Sequence, residues 1–463
     1  MIHHPFSRLY VVAALAGAFV SYSMAQEAAR ISGQVTDQSG APVPNVSLTL
    51  TENNTQVSRA GHTGVDGIYE FADVAPGNYT LEANATGFRK QVISNVNLEV
   101  AQVRRLDLKL QLGAINESVD VTASSVALQT EDSQVGGVVE NKAVNDLPLN
   151  GRDFTQLMIL MPGAVEGSSG NVTAGHYAER VAGTAFSVNG QHSNYNEFLI
   201  DGFMAKEVQD GTNAVSPIID SLREFRVQSS NYSAQFGTEA GGQINTVLKS
   251  GTNELHGSAW EYLRNDDFDA NNFFNNLSGV SKAEYRRNQF GIAAGGPVLL
   301  PKYDGRNRTF IYGAFEDTRI IKGSTQLTTV PTAAERQGIF PSPVMDPLTG
   351  MPFPNNTIPT ARFNSITTQI LAKYVPLPNN GAGTFNYISN YPFTTGALYS
   401  NWRIDHRFSA KDSIFGHYLF NDTAYTYPKL FPTDGVADDI RGQNVLGAWT
   451  HIFGFLSKKC NCC

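Results

Sequence analysis

The sequence predicts a mainly β fold with three successive parts: a small N-terminal β-sandwich, an α+β unit and an incomplete antiparallel β-barrel. Three observations predict it. Charged residues make up 16% of the chain, against about 25% in an average soluble domain. Short alternating strands with turn residues recur in the N-terminal quarter, which is typical of a sandwich. Longer strands with one apolar and one polar face follow toward the C-terminus, which is typical of a membrane barrel.

The N-terminus has the pattern of a secretory signal. Arg8 precedes an apolar run from Leu9 to Val20, and small residues surround Met24. A run of this length is a signal-peptide core and too short to span a bilayer. We therefore expect residues 1–25 to be removed by cleavage after Ala25. Any further membrane crossing would use β-strands.

Residues 26–112 predict the sandwich, with about seven short strands. Turn stretches at 37–44 and 75–78 separate the alternating runs. The stretches GQVTDQSGAPVPNVSLTL and GVDGIYEFADVAPGNYTLEANATGF closely resemble the carboxypeptidase regulatory-like domain, a transthyretin-like β-sandwich. The resemblance implies a non-catalytic module. No set of zinc ligands accompanies it, so a carboxypeptidase-type enzyme is the weakest of the hypotheses.

Residues 113–139 form a linker that contains the short segment ESVDVTA. Its two valines alternate with polar residues, so the segment can extend a sheet edge. It resembles a TonB box, which implies pairing with the energy-transducing protein TonB. The alternative is that it is simply the last strand of the sandwich. The partner-binding residues implied by the resemblance are Glu117, Ser118, Val119, Asp120, Val121, Thr122 and Ala123.

Residues 140–250 carry a series of motifs in a defined order. These are NDLPLNGRDF followed by PG, then SVNGQ, LIDG, and LREFRV leading to FG and GG. A short amphipathic helix is expected over 152–160, and strands over 225–227 and 243–249. The series resembles the plug domain of Oar-like TonB-dependent outer-membrane receptors. That resemblance implies that this part lies inside a barrel and closes it.

Residues 251–453 predict the start of a transmembrane β-barrel. Between Asn401 and Phe408, apolar residues alternate with polar ones, as in a strand with lipid on one side and a polar lumen on the other. About six to eight strands fit, whereas plugged transporters have about 22. The tail 454–463 (GFLSKKCNCC) does not continue a strand. We expect a truncated chain whose barrel is incomplete.

Motifs for catalysis, cofactors and metals are missing from the sequence. It contains no HExxH, Walker loop, dinucleotide fingerprint or GxSxG elbow. DDFDANN, from Asp266 to Asn272, lacks the glycine and glutamate of a calcium loop and is expected to be solvated. His192 and Asp201 lie in predicted turns of the plug. We therefore expect no enzyme activity, no cofactor and no metal site, and the net charge of -8 argues against nucleic acid as a partner.

The resemblances together imply a TonB-dependent outer-membrane transport or receptor protein. Its N-terminal domain would lie in the periplasm, and its plug would gate energised uptake of an unidentified ligand. The implied partners are the TonB complex, outer-membrane lipid and that extracellular ligand. The alternative is a secreted or surface β-sandwich adhesion protein without a channel, which does not explain the two-faced strand at 401–408.

Overall fold

The computed structural model is mainly β and begins at residue 29. It describes residues 29–113, 118–122, 133–147, 149–166, 186–206, 213–232, 239–277, 279, 281–323, 325–381, 385–427, 430–431 and 436–452. The predicted signal peptide and the tail 454–463 lie outside these residues. None of the described helices is long and apolar enough to cross a membrane.

The first part is a sandwich of two sheets, as predicted. One sheet has the order β4-β1-β7, with β8 also paired to β1, and the other has the order β3-β2-β5-β6-β9. The strands are β1 (Ala29–Thr36), β2 (Ser47–Glu52), β3 (Ser58–His62), β4 (Ile68–Val74), β5 (Gly77–Asn84), β6 (Lys90–Leu98), β7 (Val103–Arg105), β8 (Leu108–Lys109) and β9 (Ser118–Thr122).

The sandwich closes on an apolar core because its strands alternate strictly. In β1 every second side chain is buried, including Ile31 and Val35. In β5 the same period buries Tyr79, Leu81 and Ala83 between the sheets. A period of two places alternate side chains on opposite faces of a sheet, so one face is apolar. The two apolar faces meet in one continuous cluster.

The second part is a small α+β unit around a five-stranded sheet of order β10-β15-β16-β13-β14. β13 and β16 run parallel, while the other neighbours are antiparallel. The strands are β10 (Val135–Glu140), β11 (Ala164–Glu166), β12 (Phe186–Val188), β13 (Glu197–Ile200), β14 (Phe203–Met204), β15 (Leu222–Ser230) and β16 (Gln243–Leu248). The helices are α1 (Asn141–Asp146) and the 3-10 turns Asn150–Arg152, Phe154–Leu160, Ser193–Tyr195 and Ile219–Ser221.

The two central strands of this unit are buried on both faces. Every side chain of β16 is buried, and so are seven of the nine in β15. Phe225 on β15 packs against Phe154, which belongs to the helix predicted over 152–160, at 5.4 Å between ring centroids. Such complete burial requires cover on both sides of the sheet. The short helices pack on the face that carries Phe225, and Val100 of the sandwich contacts Glu224 and Arg226 on the other face.

Over the described residues, the third part is an antiparallel sheet of six long strands in the order β17-β18-β21-β24-β25-β26, and these strands do not close into a barrel. Its strand number lies at the lower end of the prediction. The strands are β17 (His256–Asn265), β18 (Tyr285–Pro297), β21 (Thr309–Gly323), β24 (Pro392–Arg407), β25 (Asp412–Tyr427) and β26 (Val436–His451). Three of them are 16 residues long. The strand predicted over 401–408 is one of these, and it begins earlier, at Pro392.

Smaller elements connect the long strands. They are β19 (Leu299–Leu300), β20 (Tyr303–Asp304), β22 (Gln326–Thr328), β23 (Tyr387–Ser389), α2 (Phe273–Leu277), α3 (Ala333–Arg336), α4 (Ser365–Tyr374) and the 3-10 turns Asp266–Phe268, Pro354–Asn356 and Thr360–Arg362. The long connection between β21 and β24 contains two of these helices and the β22–β23 pair. This connection is therefore a folded segment.

The two-faced pattern predicted for 401–408 is confirmed in β24. Trp402 and Ile404 are 50% and 48% exposed on the outer face of the sheet. Asn401 and Arg403 lie on the inner face and are buried against the α+β unit. The apolar side therefore faces where lipid would be, and the polar side holds the unit inside.

Candidate functional site

Arg152 forms the first of two ionic clusters between the α+β unit and the barrel sheet. Its guanidinium pairs with Asp220 of the same unit, and its Nε lies 3.2 Å from Glu316 Oε2 on β21. Its Nη1 donates to the Tyr262 hydroxyl at 2.9 Å, and the group lies 4.9 Å from the ring centres of both Tyr262 and Trp260. One arginine thus uses hydrogen bonds, charge and aromatic faces together.

Local backbone geometry presents Arg152 to the barrel. Gly151 and Arg152 both have positive φ, 76° and 56°. Glycine adopts this region readily, whereas arginine does so at a cost. A Cβ at Gly151 would also meet the Arg287 side chain at 2.6 Å. The NGRDF motif therefore forms a tight bend that points Arg152 at the barrel wall.

Asp201 is the centre of the second cluster, and it is almost completely buried. Its Oδ1 lies 2.9 Å from Arg403 Nη1 on β24, and its Oδ2 lies 2.7 Å from His417 Nδ1 on β25. His417 Nε2 in turn lies 2.7 Å from Asn444 Oδ1 on β26. The Leu248 amide also donates to Asp201 Oδ1 at 3.1 Å. One carboxylate of the unit thereby contacts two barrel strands directly and a third through His417.

Burial by itself raises the pKa of Asp201. Arg403 and His417 lower it by a larger amount, so the pKa of Asp201 lies below its usual value and the group stays ionised. The turn that carries Asp201 is built for this position. Asp201 and Gly202 both have positive φ, and the Gly202 amide donates to Asn245 Oδ1 at 3.2 Å. The LIDG motif is thus a turn, as predicted, and its aspartate is a buried contact with the barrel.

His192, the other turn residue of interest, has a different and exposed environment. Its Nδ1 lies 2.7 Å from Asn194 Oδ1, and its ring lies 6.1 Å from that of Tyr195 in an exposed turn. The structure therefore keeps His192 and Asp201 apart.

The sandwich contacts the α+β unit through Val100. The Val100 amide donates to Glu224 Oε1 at 2.7 Å, and its carbonyl accepts from Arg226 Nη1 at 2.8 Å. Both side chains belong to β15. Burial raises the pKa of Glu224 to about 7, with Glu99 among the neighbouring carboxylates that add to the rise. We call these three residues, Val100, Glu224 and Arg226, the Val100 clamp.

The sandwich also contacts the barrel sheet, beside an open cleft. Asn253, just before β17, donates to the Thr55 carbonyl at 2.9 Å, and Arg407 at the end of β24 donates to the Ser58 carbonyl. A cavity of about 400 Å³ lies where the three parts meet, with Arg59 and Arg223 among its lining residues. The sandwich therefore rests against the turn end of the barrel through few polar contacts.

The TonB-box-like segment forms the edge strand of the sandwich. β9, Ser118–Thr122, runs parallel to β6 with Gln91 opposite Val119. Val121 is 41% exposed. Glu117 and Ala123 lie outside the described residues. The segment is therefore a strand of the sandwich. This position agrees both with a simple last strand and with an edge strand to which a partner can add.

The DDFDANN stretch binds its own neighbours. Lys282 Nζ donates to the carbonyls of Asp266 and, at 3.2 Å, of Asp269. The Asp269 carboxylate pairs with Arg264 at 3.0 Å. Across the described residues there is no group of three or more histidine, cysteine, aspartate or glutamate side chains that could hold a metal ion.

Arg152, Glu316, Arg403, His417, Glu224 and Arg226 were not singled out from the sequence as functional residues. A signal existed for two of them. Arg403 occupies a polar position of the alternating 401–408 strand, and Arg152 stands within the NGRDF motif. The others lie in strands whose pattern gives no indication of their partners.

Comparisons with known proteins agree with this architecture. Residues 247–455 match the outer membrane beta barrel domain family, and residues 30–111 match the carboxypeptidase regulatory-like domain family. The TonB-dependent transporter Oar of Myxococcus xanthus is 25% identical over 304 residues, which are 63% of this chain and 27% of the relative. The chain thus spans about a quarter of that relative's length. The predicted resemblance to Oar-like TonB-dependent receptors is confirmed.

Solved structures with partial similarity include an outer membrane transporter and a ferric enterobactin receptor. The outer membrane transporter YddB from Escherichia coli has 11% identity and a TM-score of 0.45, over 68% of this chain and 37% of its own. The ferric enterobactin receptor PfeA from Pseudomonas aeruginosa has 12% identity and a TM-score of 0.34, over 63% of this chain and 33% of its own. Each of these two likenesses covers about two thirds of this chain and about a third of the other protein.

Proposed function

We infer, from the homology of this chain to a TonB-dependent transporter and from its outer-membrane barrel and carboxypeptidase regulatory-like domains, that it acts in TonB-dependent transport across the outer membrane. The observation that carries the proposal is the α+β unit held against the inner face of the barrel sheet by two buried ionic clusters. We call this unit the plug from here on. Charged groups that separate can be hydrated again, which lowers the cost of moving a plug held in this way.

The proposed cycle has three steps. A ligand binds on the side of the barrel away from the sandwich. TonB then pairs with the segment from Glu117 to Ala123 in extended form, by strand addition. Its pull rearranges the plug, so the Arg152 and Asp201 clusters must separate. The transported ligand is a solute, and the proposal assigns the chain no enzymatic step.

The position of the sandwich supports a periplasmic N-terminus. It contacts the barrel beside the short turn 408–411, which joins β24 to β25, through the bond from Arg407 to the Ser58 carbonyl. In outer-membrane barrels the short turns are periplasmic and the long loops extracellular. The long folded connection between β21 and β24 leaves the opposite end of the sheet. We therefore propose that the sandwich and β9 face the periplasm, where TonB acts.

Binding to TonB tests the proposal directly. Residues 117–123 are replaced by seven glycine and serine residues, which keep the length of the linker. The soluble periplasmic domain of TonB is then titrated onto the purified chain in detergent micelles. We expect binding to the wild type and a loss of at least tenfold in the replaced chain. The same replacement at 345–351, in the connection at the far end of the barrel, should leave affinity unchanged.

Cell fractionation separates the proposal from the adhesion alternative. The chain is expected in the outer membrane and should resist extraction by urea. Recovery of the protein from the medium, or equal TonB binding by both replaced chains, would contradict a TonB-dependent transport role.

A further inference from the structure

The sheet that carries β9 has two very different edges. At one edge, β3 contacts the barrel, since Arg407 donates to the Ser58 carbonyl. Arg59 of β3 also donates to the Ala72 carbonyl of β4, in the other sheet of the sandwich, at 2.9 Å. At the other edge, β9 is the last strand, and within the described part of the chain β6 is its one neighbour. An open strand edge presents amide and carbonyl groups to any extended chain that approaches.

The same sheet is held in a fixed position on the plug. β6 ends at Leu98, and two residues later Val100 enters the Val100 clamp. Val100 is fully buried there. The strand that supports β9 thus leads directly into the contact with β15, an inner strand of the plug sheet. The open edge of β9 is therefore presented in a defined orientation relative to the plug.

We propose that the partner's strand adds to the open edge of β9 while β9 stays paired with β6, so that the sandwich is itself part of the TonB-binding surface. This inference rests on the proposed function and specifies the form of the docking surface. The partner would form the sixth strand of the sheet β3-β2-β5-β6-β9. Residues 118–122 then act as a bridge between two strands, with one edge on β6 and the other on the partner.

Free energy favours this arrangement over release of β9. Peeling β9 from β6 breaks the backbone hydrogen bonds of a five-residue pairing, each of which contributes to stability. Addition of a strand to an open edge forms new main-chain bonds and breaks none. The arrangement also keeps the bound partner next to the plug, because the Val100 clamp stays closed.

A disulfide between β6 and β9 tests the inference. Gln91 and Val119 are opposite each other in the register. Neighbouring strands lie about 4.8 Å apart, within the Cα separation that a disulfide spans. The variant Gln91→Cys/Val119→Cys is made in a chain whose Cys460, Cys462 and Cys463 are replaced by serine, so no other thiol is present. Thr49→Cys/Ala60→Cys, which joins β2 to β3, is the matched control.

The measurement is the Kd of the soluble periplasmic domain of TonB for each full chain, oxidised and reduced. We expect the disulfide to form between positions 91 and 119 and the Kd to stay within twofold in both states. A Kd at least tenfold weaker in the oxidised variant, restored by reductant and absent from the control, would show that β9 must leave β6 and would overturn the inference. Failure of the cross-link to form would overturn it as well. Absence of binding to the reduced chain would instead count against the proposed function.

Discussion

The sandwich and the plug–barrel interface are held together by opposite kinds of interaction. The sandwich has one continuous apolar core, whereas the apolar contacts between plug and barrel are a small cluster around Ile218 and Tyr312 and the side chain of Leu419 on β25, which enters the plug core. The plug is held mainly through Arg152 and Asp201 and their buried partners. Apolar burial is non-directional and favourable as long as water is excluded. Buried ion pairs contribute little net stability and much specificity of position.

This difference agrees with the proposed function, in which the plug is held firmly in the barrel and can still be separated from it. Ionised groups that leave a buried cluster regain hydration, which offsets much of the cost of separating them. Apolar side chains that leave a core gain nothing comparable. We therefore expect the sandwich to stay folded when TonB pulls on the chain, and the plug to separate from the barrel sheet. Four experiments can break or sharpen this comparison.

The largest effect is expected from Asp201→Ala. The change leaves Arg403 and His417 buried without their carboxylate, and removal of one partner of a buried pair typically costs about 3–5 kcal/mol. Denaturant unfolding in micelles, followed by tryptophan fluorescence, measures this loss. All three tryptophans, Trp260, Trp402 and Trp449, lie in barrel strands and report on that region. A transition that coincides with that of the exposed-pair variant Asp304→Asn would show that the second cluster does not hold the plug.

A slightly smaller effect, and one confined to another region, is expected from Leu81→Ala. Leu81 is 1% exposed in the sandwich core, and such truncations cost about 2–5 kcal/mol. Circular dichroism should show an earlier transition for the sandwich. Tryptophan fluorescence should not move, because no tryptophan lies in that domain. A matching shift of the fluorescence transition would mean that the sandwich and the barrel unfold as one unit.

An intermediate effect is expected from pH, through the Val100 clamp. The pKa of Glu224 is raised by burial to about 7, so the folded chain holds a proton that the unfolded chain releases near pH 4.5. The contribution of Glu224 to the free energy of unfolding is therefore complete below pH 4.5 and is lost as the pH rises toward and through 7. The change between pH 5 and 7 should be about 2 kcal/mol. Glu224→Gln keeps the carbonyl acceptor and should remove this slope, as seen in unfolding curves at the two pH values; an unchanged slope would assign it to other groups.

The smallest effect is expected from Asp304→Asn. Asp304 pairs with Arg306 at 3.4 Å, and both side chains are more than half exposed. Exposed pairs of this kind contribute roughly 0–1 kcal/mol. The unfolding midpoint should therefore stay close to that of the wild type. A loss as large as that of Asp201→Ala would remove the contrast between buried and exposed pairs on which the comparison depends.

The sequence predicted the strands well and their long-range partners poorly. Alternation between Asn401 and Phe408 was sufficient to predict both faces of β24, because the period of two is a local property. The LIDG motif predicted a turn. It did not predict that Asp201 is buried, since its partners Arg403 and His417 lie about two hundred residues further along the chain. The sequence did not predict the Val100 clamp either. Val100 lies more than one hundred residues before Glu224 and Arg226, and it has the pattern of any apolar residue in a sandwich strand.

The length of the barrel strands has a consequence for where a ligand first meets the molecule. A strand of 16 residues is about 53 Å long, and at a tilt of about 45° it rises about 37 Å. The apolar band of an outer-membrane barrel is about 25 Å tall. The wall is therefore about 12 Å taller than this band, an excess that is divided between its two rims. In the proposed orientation, a ligand that arrives from outside meets the folded connection at one rim, which includes α3 and α4, before it meets the sheet.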